Sequence, residues 1–306
     1  MKIIRKPSCG IRAAFVFRPF SAWLRYLGIM KNLRNISRIF KLLAGFFLAS
    51  FLGLALIGGQ SASRLEVAFF DIGQGDASLI KTPAGFAVLI DGGPDDLILK
   101  RLGEDLPYRQ RRLDMVVASH YHDDHIGGLF EVFERYQVGV FVYPSGNAAS
   151  DLWEDLLRTA EAEGIKTLAL AKEAKVDLGV NCFLRLFNPN SLGIAEDENN
   201  SLLARLDCSD ESFLWTGDNS QAVESSLIKS TFPLSADVFK AGHHGSKTSN
   251  LTSFLEVVSP RAIVFSVGAD NRFGHPSQEA ISRALDLGIH IYRTDQAGTV
   301  RFVSQP

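Results

Sequence analysis

Short apolar blocks alternate with polar ones from residue 64 to the end of the chain. RLEVAFFDIG, RRLDMVVASH and VGVFVYPSG are rich in β-branched and aromatic residues and are typical of strands. DASLIKTPAGFAVLIDGG predicts two strands joined at Pro83-Ala84-Gly85. The final block, HIYRTDQAGTVRFVS, predicts a closing hairpin.

Other blocks have the spacing of amphipathic helices. GGLFEVFERY predicts a helix whose apolar face carries Leu129, Val132, Phe133 and Tyr136. SDLWEDLLRTAEAEG begins with a Ser-Asp cap, ends at Gly164, and predicts a helix with an apolar face of Leu152, Leu156 and Leu157. Strands followed by alternating strands and helices occur in both halves. This order predicts one domain, residues 64–306, of two sheets packed face to face with helices outside.

The N-terminal part has a different pattern. Residues 42–57, LLAGFFLASFLGLALI, contain no charge, follow several basic residues and precede the small residues GGQSAS. This layout predicts a secretory signal peptide, and an uncleaved signal anchor is the alternative. We therefore assign residues 1–63 to an N-terminal extension and signal, with Met30 as a possible true start.

The basic residues before the apolar run keep the N-terminus in the cytoplasm and send residues 64–306 across the membrane. We expect a periplasmic or extracellular domain, anchored through residues 42–57 if the signal is not cleaved. Cys182 and Cys208 lie in strand-like segments and could pair in an oxidising compartment, although two separate buried thiols are the interpretation we favour.

Composition excludes few functions. The formal net charge of −2 excludes the large basic excess of a nucleic-acid-coating protein, but not a local basic groove. The three cysteines lack C-x-x-C spacing, which disfavours a thiolate metal site. Nothing in the sequence indicates a protein partner.

Four polar clusters stand at the ends of apolar strands. They are Asp91 in VLIDGG, the run HYHDDH from His120 to His125, Asp218 in FLWTGD, and the His243-His244 pair in VFKAGHHGSK. Loops at strand ends are where a rigid scaffold presents reactive groups. Because all four ends carry histidine or aspartate, we expect them to form one site.

The spacing within HYHDDH suits metal binding. His120 and His122 are two residues apart, so an extended chain points both to the same side, where they can hold one ion. Asp124 and His125 follow after a turn and can face a second ion. Two such ions can hold a hydroxide between them and activate it. A solvated, histidine-rich loop is the alternative for this run taken alone.

The motifs resemble those of a known family. HYHDDH matches the H-x-H-x-D-H signature of the metallo-β-lactamase superfamily. FFDIGQGD, SHYHDDHIGGL, ENNSLLARL, LWTGD, KAGHHGSK and NRFGHPS occur in the order of the hydrolase domain of ComEC DNA-uptake proteins and their stand-alone relatives. The resemblance covers nearly all of residues 64–306. It implies an αββα four-layer sandwich, two divalent ions, and hydrolysis of phosphodiesters.

The resemblance also implies roles for single residues. His120 and His122 would bind the first ion, Asp124 and His125 the second, and Asp218 would bridge both. The GHHG loop would add one ligand. We favour His243 for this role and expect His244 to support the site or face the substrate, with the reverse order left open.

One position departs from the wider superfamily. No histidine lies between His125 and His243, and Asn200 stands nearest the place where many members carry one. An amide oxygen is a poor zinc ligand but suits harder ions such as manganese. The ions are therefore zinc or manganese, and Asn200 would contact metal or substrate.

Other residues have supporting roles. Asp91 would orient the site loop, or simply form the turn before Gly92-Gly93. Ser246 and Lys247 would hold a phosphate; the alternative is a capped loop with a solvated lysine. His275 would protonate a leaving group or bind phosphate; the alternative is a purely structural role. The remaining candidates, which would brace the floor of the site, are Gln74 and Asp76.

These assignments predict a metal-dependent hydrolase, most simply a phosphodiesterase or nuclease acting on DNA or RNA outside the cytoplasm. Asp124, Lys247 and His275 would be the catalytic residues. The alternatives are an exported hydrolase of another ester, such as a phosphorylcholine ester, a lactone or a β-lactam, and a non-catalytic binding module.

Overall fold

A computed structural model describes residues 64–146, 150–194 and 200–304 of the 306-residue chain. The predicted extension and signal segment, residues 1–63, lies outside the described residues. Among the helices within the described ranges, none is both long and apolar enough to cross a membrane.

Most of the strands form two large sheets. The first has the order β16 (Val300–Val303), β1 (Glu66–Phe69), β2 (Ser78–Lys81), β3 (Ala87–Ile90), β5 (Met115–Val117), β7 (Phe141–Pro144) and β8 (Thr167–Leu170). The second has the order β15 (His290–Arg293), β14 (Ala262–Phe265), β13 (Val238–Lys240), β12 (Glu211–Trp215), β11 (Leu203–Cys208), β10 (Cys182–Phe187) and β9 (Glu173–Asp177). A small parallel ribbon pairs β4 (Arg112–Leu113) with β6 (Gln137–Val138).

The helices cover the outer faces of these sheets. They are α1 (Leu97–Asp105), α2 (Asp123–Ile126), α3 (Leu129–Arg135), α4 (Asp151–Ala162), α5 (Gln221–Leu227), α6 (Thr252–Val258), α7 (Gln278–Asp286) and α8 (Thr294–Ala297). One apolar cluster fills the space between the sheets, a second joins the first sheet to α1, α3 and α4, and a third joins the second sheet to α5, α6 and α7. Three cores between four layers confirm the predicted αββα sandwich.

The chain does not close as a hairpin, so that prediction is wrong. β15 pairs with β14 in the second sheet, whereas β16 pairs with β1 in the first. Helix α8 separates the two strands, and its first residue, Thr294, is buried. The Thr294 hydroxyl donates to the carbonyl of Val267 at 2.9 Å and accepts from its amide at 2.8 Å. These bonds hold the chain where it crosses from one sheet to the other.

Helix α4 begins as predicted but is rotated about its axis. The Ser150 hydroxyl accepts from the amide of Trp153 at 3.2 Å, which is a standard N-cap. Trp153, Leu156 and Ala160 form the buried face, and Leu152 is only half-buried. The large Trp153 ring packs on Tyr121, Phe141 and Tyr143, and this contact sets the rotation.

The two strand cysteines are joined, which corrects the expectation of two separate thiols. Cys182 in β10 and Cys208 in β11 lie directly opposite each other in an antiparallel pair and form a disulfide. Strand register decides this pairing, and the sequence alone does not determine it.

Candidate metal centre

The polar clusters converge because of strand direction. β3 and β5 are parallel neighbours in one sheet, and β12 and β13 are parallel neighbours in the other. Parallel neighbours end at the same edge of their sheet. Asp91 follows β3, His120 comes shortly after β5, Asp218 follows β12 and His243 follows β13. The four strand ends thus place their side chains together.

Two groups of side chains in the described residues could each hold a cation, and Asp218 belongs to both. The first group is His120, His122 and Asp218. The second group is Asp76, His125, Asp218 and His244. This shared carboxylate is the arrangement expected of a two-ion site.

Hydrogen bonds orient the rings of the HYHDDH run. The Ser119 hydroxyl donates to Asp91 at 2.8 Å and lies 3.0 Å from Nδ1 of His120, so it accepts from that nitrogen. Nδ1 of His125 lies 2.9 Å from the Asp91 carboxylate and donates to it directly. Because Nδ1 carries the proton in both rings, the Nε2 lone pairs face the interior of the site. Asp91 therefore lies where it can orient the His125 ring directly and the His120 ring through Ser119, and this role stays a prediction.

His244 is oriented in the same way. Its Nδ1 lies 3.1 Å from Asp76 Oδ1 and 3.1 Å from the carbonyl of Ser266. Its Nε2 lies 3.2 Å from Asp124 Oδ2 and 3.7 Å from Asp218 Oδ2. Asp76 therefore holds the back of the ring, while Asp124 stands on the side where an ion would bind.

This geometry favours His244 over His243 as a ligand, the reverse order that the sequence left open. His244 is buried and directed at both carboxylates of the site. His243 is half-buried, and its Nε2 lies 3.6 Å from Asp218 Oδ2 but outside both groups. The steric reason is the tight loop, which turns successive side chains to different sides. Ligand identity itself stays a prediction.

The donor set fits divalent cations. Nε2 of His120, His125 and His244 and Oδ1 of Asp218 are buried and make no well-aligned hydrogen bond among the described residues, although their charged neighbours lie 3.2–3.9 Å away. Buried polar atoms without good hydrogen bonds are costly, and four converging ones indicate a ligand that replaces their hydration. Imidazole nitrogen and carboxylate oxygen suit zinc and related divalent metals.

Asp76 and His244 both stay charged in the absence of metal. Burial alone would raise the pKa of Asp76, but Lys240 and His244 outweigh it and lower this pKa to about 2. Burial would also lower the pKa of His244, yet Asp218 and Asp76 raise it to about 9. The carboxylates and imidazolium groups therefore balance one another until a cation displaces the protons.

The histidine loop is held in an uncommon backbone conformation. His243 and His244 have φ values of 50° and 52°, and Gly245 follows at 82° with no room for a side chain beside Phe265 and Pro276. Such conformations persist only where the surroundings enforce them. Asn250 supplies this constraint, because its side chain accepts from the amide of Gly242 at 2.8 Å and donates to its carbonyl at 2.9 Å.

Glu224 holds the backbone at Asn250 in place, and sequence reasoning missed this glutamate. Its carboxylate accepts from the amides of Asn250 at 2.7 Å and Leu251 at 2.8 Å. Burial raises the pKa of Glu224 to about 7 even though these two donors and Arg283 oppose the shift. The only sequence signal is a glutamate on the apolar face of a short helix, AVESSLIKS.

This pKa predicts a pH-dependent stability. The folded-state pKa of Glu224 exceeds the usual 4.5, so the protonated carboxyl group stabilises the fold. This contribution to the free energy of unfolding is fully present below about pH 4.5 and is lost as pH rises through about 7. The glutamine in Glu224→Gln cannot ionise. We therefore expect the variant to lose about 3 kcal/mol less unfolding free energy than the wild type between about pH 5 and 8. Urea unfolding with chelator present measures this slope. Glu161→Gln, at an exposed position, is the control, and equal slopes in both variants would contradict the prediction.

Lys240 is the second residue that sequence reasoning missed. It ends the buried strand β13, is 1% exposed, and forms an ion pair with Asp76. A lysine is almost never buried without a partner. The signal was present in VFKAGHHG, where a charge interrupts an apolar strand just before the histidines.

Two predicted loops border the metal centre. The Ser246 hydroxyl is buried and lies 2.9 Å from that of Thr248, whereas the Lys247 side chain is exposed. The ring of His275 lies 5.9 Å from that of His243. Burial, followed by the charges of His244 and His243, lowers the pKa of His275 to about 4.

The two amide side chains are engaged with neighbouring loops. Gln74 accepts from the amide of Gly268 at 3.3 Å. Asn200 is buried, and its Nδ2 donates to Oδ1 of Asn190 at 2.8 Å. Their roles at the metal centre stay predictions. The spare aspartate of the HYHDDH run, Asp123, is exposed.

The chain belongs to the metallo-beta-lactamase superfamily, whose family model matches residues 70–268. It is 30% identical over 259 residues to ComE operon protein 3 of Bacillus subtilis, covering 79% of this chain and 33% of that one. It is 31% identical over 242 residues to competence protein ComA of Neisseria gonorrhoeae, covering 78% and 32%. These matches confirm the resemblance to ComEC-type proteins. The chain spans about a third of the length of these curated relatives.

Solved structures show the same fold. The metallo-beta-lactamase fold protein YhfI from Bacillus subtilis superposes with a TM-score of 0.57 at 14% identity, covering 79% of this chain and 100% of that one. Tm1679, a metal-dependent hydrolase of the beta-lactamase superfamily, gives a TM-score of 0.52 at 17% identity, covering 78% and 98%. The family and the candidate metal centre place the chain among the metal-dependent hydrolases of this superfamily.

Proposed function

We propose that the chain hydrolyses phosphodiester bonds, most simply those of nucleic acid, outside the cytoplasm. The observation that carries the proposal is the position of Asp218, a buried carboxylate shared by two histidine groups. When bound there, two divalent ions, zinc or manganese, would lower the pKa of water and neutralise charge on a phosphoryl oxygen.

The charge of the site supports an anionic substrate. Four carboxylates, from Asp76, Asp91, Asp124 and Asp218, line or support the two groups. Two dications would balance these four charges, and the buried Lys240 would add a positive one. Before a water is deprotonated the site carries a net positive charge, which favours an anionic phosphodiester over a neutral ester such as a lactone.

Side chains at the rim would hold the substrate. With a pKa of about 4, His275 is neutral at neutral pH. We therefore assign it to phosphate binding by hydrogen bonding, in preference to protonation of the leaving group. The exposed Lys247 follows the histidine loop and would contribute a mobile positive charge next to a phosphate.

Two further observations support an exported nucleic-acid enzyme. The disulfide between Cys182 and Cys208 is typical of oxidising compartments, in agreement with the signal expected in residues 1–63. One relative that covers most of the chain is named a competence protein. Attachment to a membrane through residues 42–57 belongs to the same proposal.

A substrate panel tests the proposal. The full chain, loaded with zinc or manganese, is assayed on a single-stranded oligonucleotide, bis-nitrophenyl phosphate, a phosphorylcholine ester and nitrocefin. We expect metal-dependent cleavage of the oligonucleotide and of bis-nitrophenyl phosphate. Turnover of nitrocefin or the phosphorylcholine ester alone would overturn the assignment to nucleic acid.

A further inference from the structure

An exposed aromatic residue stands at the rim of the metal centre and has no role in the account so far. Phe273 is 55% exposed and lies in the loop between β14 and α7. Single exposed apolar residues are common, but an aromatic side chain beside a positively charged site can serve as a stacking surface for a base.

A series of contacts connects this ring to the metal centre. The Phe273 ring stacks on that of His275, with centroids 5.9 Å apart and planes inclined by 20°. The His275 ring lies 5.9 Å from that of His243, whose Nε2 is 3.6 Å from Asp218 Oδ2. The exposed ring therefore lies two aromatic neighbours away from the shared carboxylate.

The loop that carries Phe273 is held in place. The side-chain amide of Asn271 donates to the carbonyls of Gly268 at 3.0 Å and His275 at 2.7 Å, and its oxygen accepts from the amide of His275 at 2.9 Å. The Arg272 guanidinium lies 5.0 Å from the centre of the Phe273 ring. The backbone that carries the aromatic ring and the positive charge is thus fixed, which lowers the entropic cost of binding.

We propose that Phe273 and Arg272 form a stacking platform for a nucleobase beside the phosphodiester held at Asp218. This inference rests on the proposed function and specifies its substrate as single-stranded nucleic acid. A base in a duplex is stacked between its neighbours and paired, whereas a base in a single strand is free to lie on an aromatic side chain. Arg272 would attract the adjacent backbone phosphate.

The features of the platform favour a base over other occupants. Every base has a flat π face, so one phenyl ring accepts any of the four without hydrogen-bond readout. The positive charge beside the ring suits a ligand that is both aromatic and anionic, which a nucleotide is. Because the ring is joined to the metal centre through His275, the phosphate and the base of one substrate would bind together.

Binding of oligonucleotides with and without bases tests the platform. The full, zinc-loaded chain is titrated into a fluorescein-labelled single-stranded thymidine oligonucleotide with phosphorothioate linkages, which suppress cleavage, and into an abasic oligonucleotide of the same length. Fluorescence anisotropy gives both dissociation constants. We expect the wild type to prefer the oligonucleotide with bases by about 10-fold, the order expected of one stacked base.

Matched variants locate this preference. Phe273→Ala should lose it while keeping the affinity for the abasic oligonucleotide, and Phe273→Trp should retain it. Tyr108→Ala removes an aromatic residue that is 92% exposed elsewhere and should change nothing. No preference in the wild type, or an unchanged preference in Phe273→Ala, would overturn the platform. A wild type that shows the preference but cleaves no phosphodiester would refute the proposed function and leave the platform intact.

Discussion

Replacing Asp218 by asparagine is expected to remove both bound ions and lower phosphodiester hydrolysis by more than about 100-fold. Residues that only orient a ligand cost about 10–100-fold when changed, and Asp218 belongs to both candidate ligand groups. The asparagine keeps the size of the side chain, so the loop can keep its shape. Metal content after reconstitution, measured by mass spectrometry, and initial rates on bis-nitrophenyl phosphate check the prediction.

Asp123→Asn is the matched control for this experiment. Asp123 lies in the histidine-rich run but is exposed, and it belongs to neither group. We expect its metal content and hydrolysis to equal those of the wild type. If Asp218→Asn kept two ions and full activity while remaining folded, the shared-carboxylate arrangement would be wrong.

Replacing Lys240 by methionine is expected to destabilise the fold by about 3–5 kcal/mol. Methionine has a similar length but no charge, so the buried Asp76 carboxylate loses its lysine partner and keeps only the histidines beside it. Because Asp76 also holds Nδ1 of His244, metal affinity should fall as well. Urea unfolding and zinc titration measure the two effects separately.

A double variant separates the effect of breaking the Lys240–Asp76 ion pair from the effect of losing the lysine side chain. Adding Asp76→Asn to Lys240→Met removes the buried carboxylate charge that lost its lysine partner and should recover much of the lost stability. Lys229→Met, at an exposed position, should cost little. A single Lys240→Met variant as stable as the wild type would show that the ion pair does not support the fold.

The sequence predicted the layers and the place of the site for a simple reason. Alternating apolar blocks of strand and helix length have few ways to bury their faces, and the αββα sandwich is one of them. Asp91, the HYHDDH run, Asp218 and the histidine pair each follow a strand, and parallel strands bring such ends together. Their convergence followed from topology and required no knowledge of distances.

Other features depend on register and packing, which a single sequence does not reveal. The Cys182–Cys208 disulfide requires a register that places the two cysteines opposite each other. The predicted closing hairpin does not form because Thr294 anchors the chain between the sheets. The preference for His244 over His243 as a predicted ligand depends on a left-handed loop held by Asn250. None of these contacts is local in sequence.

We propose that this chain holds two cations, one on each side of Asp218. Anomalous scattering from crystals of the zinc-loaded protein tests it most directly. We expect two peaks, one between His120, His122 and Asp218, and one between His125, His244 and Asp218, with Asp124 on the side of His244 Nε2. A single peak, no peak, or a peak on His243 instead of His244 would contradict it.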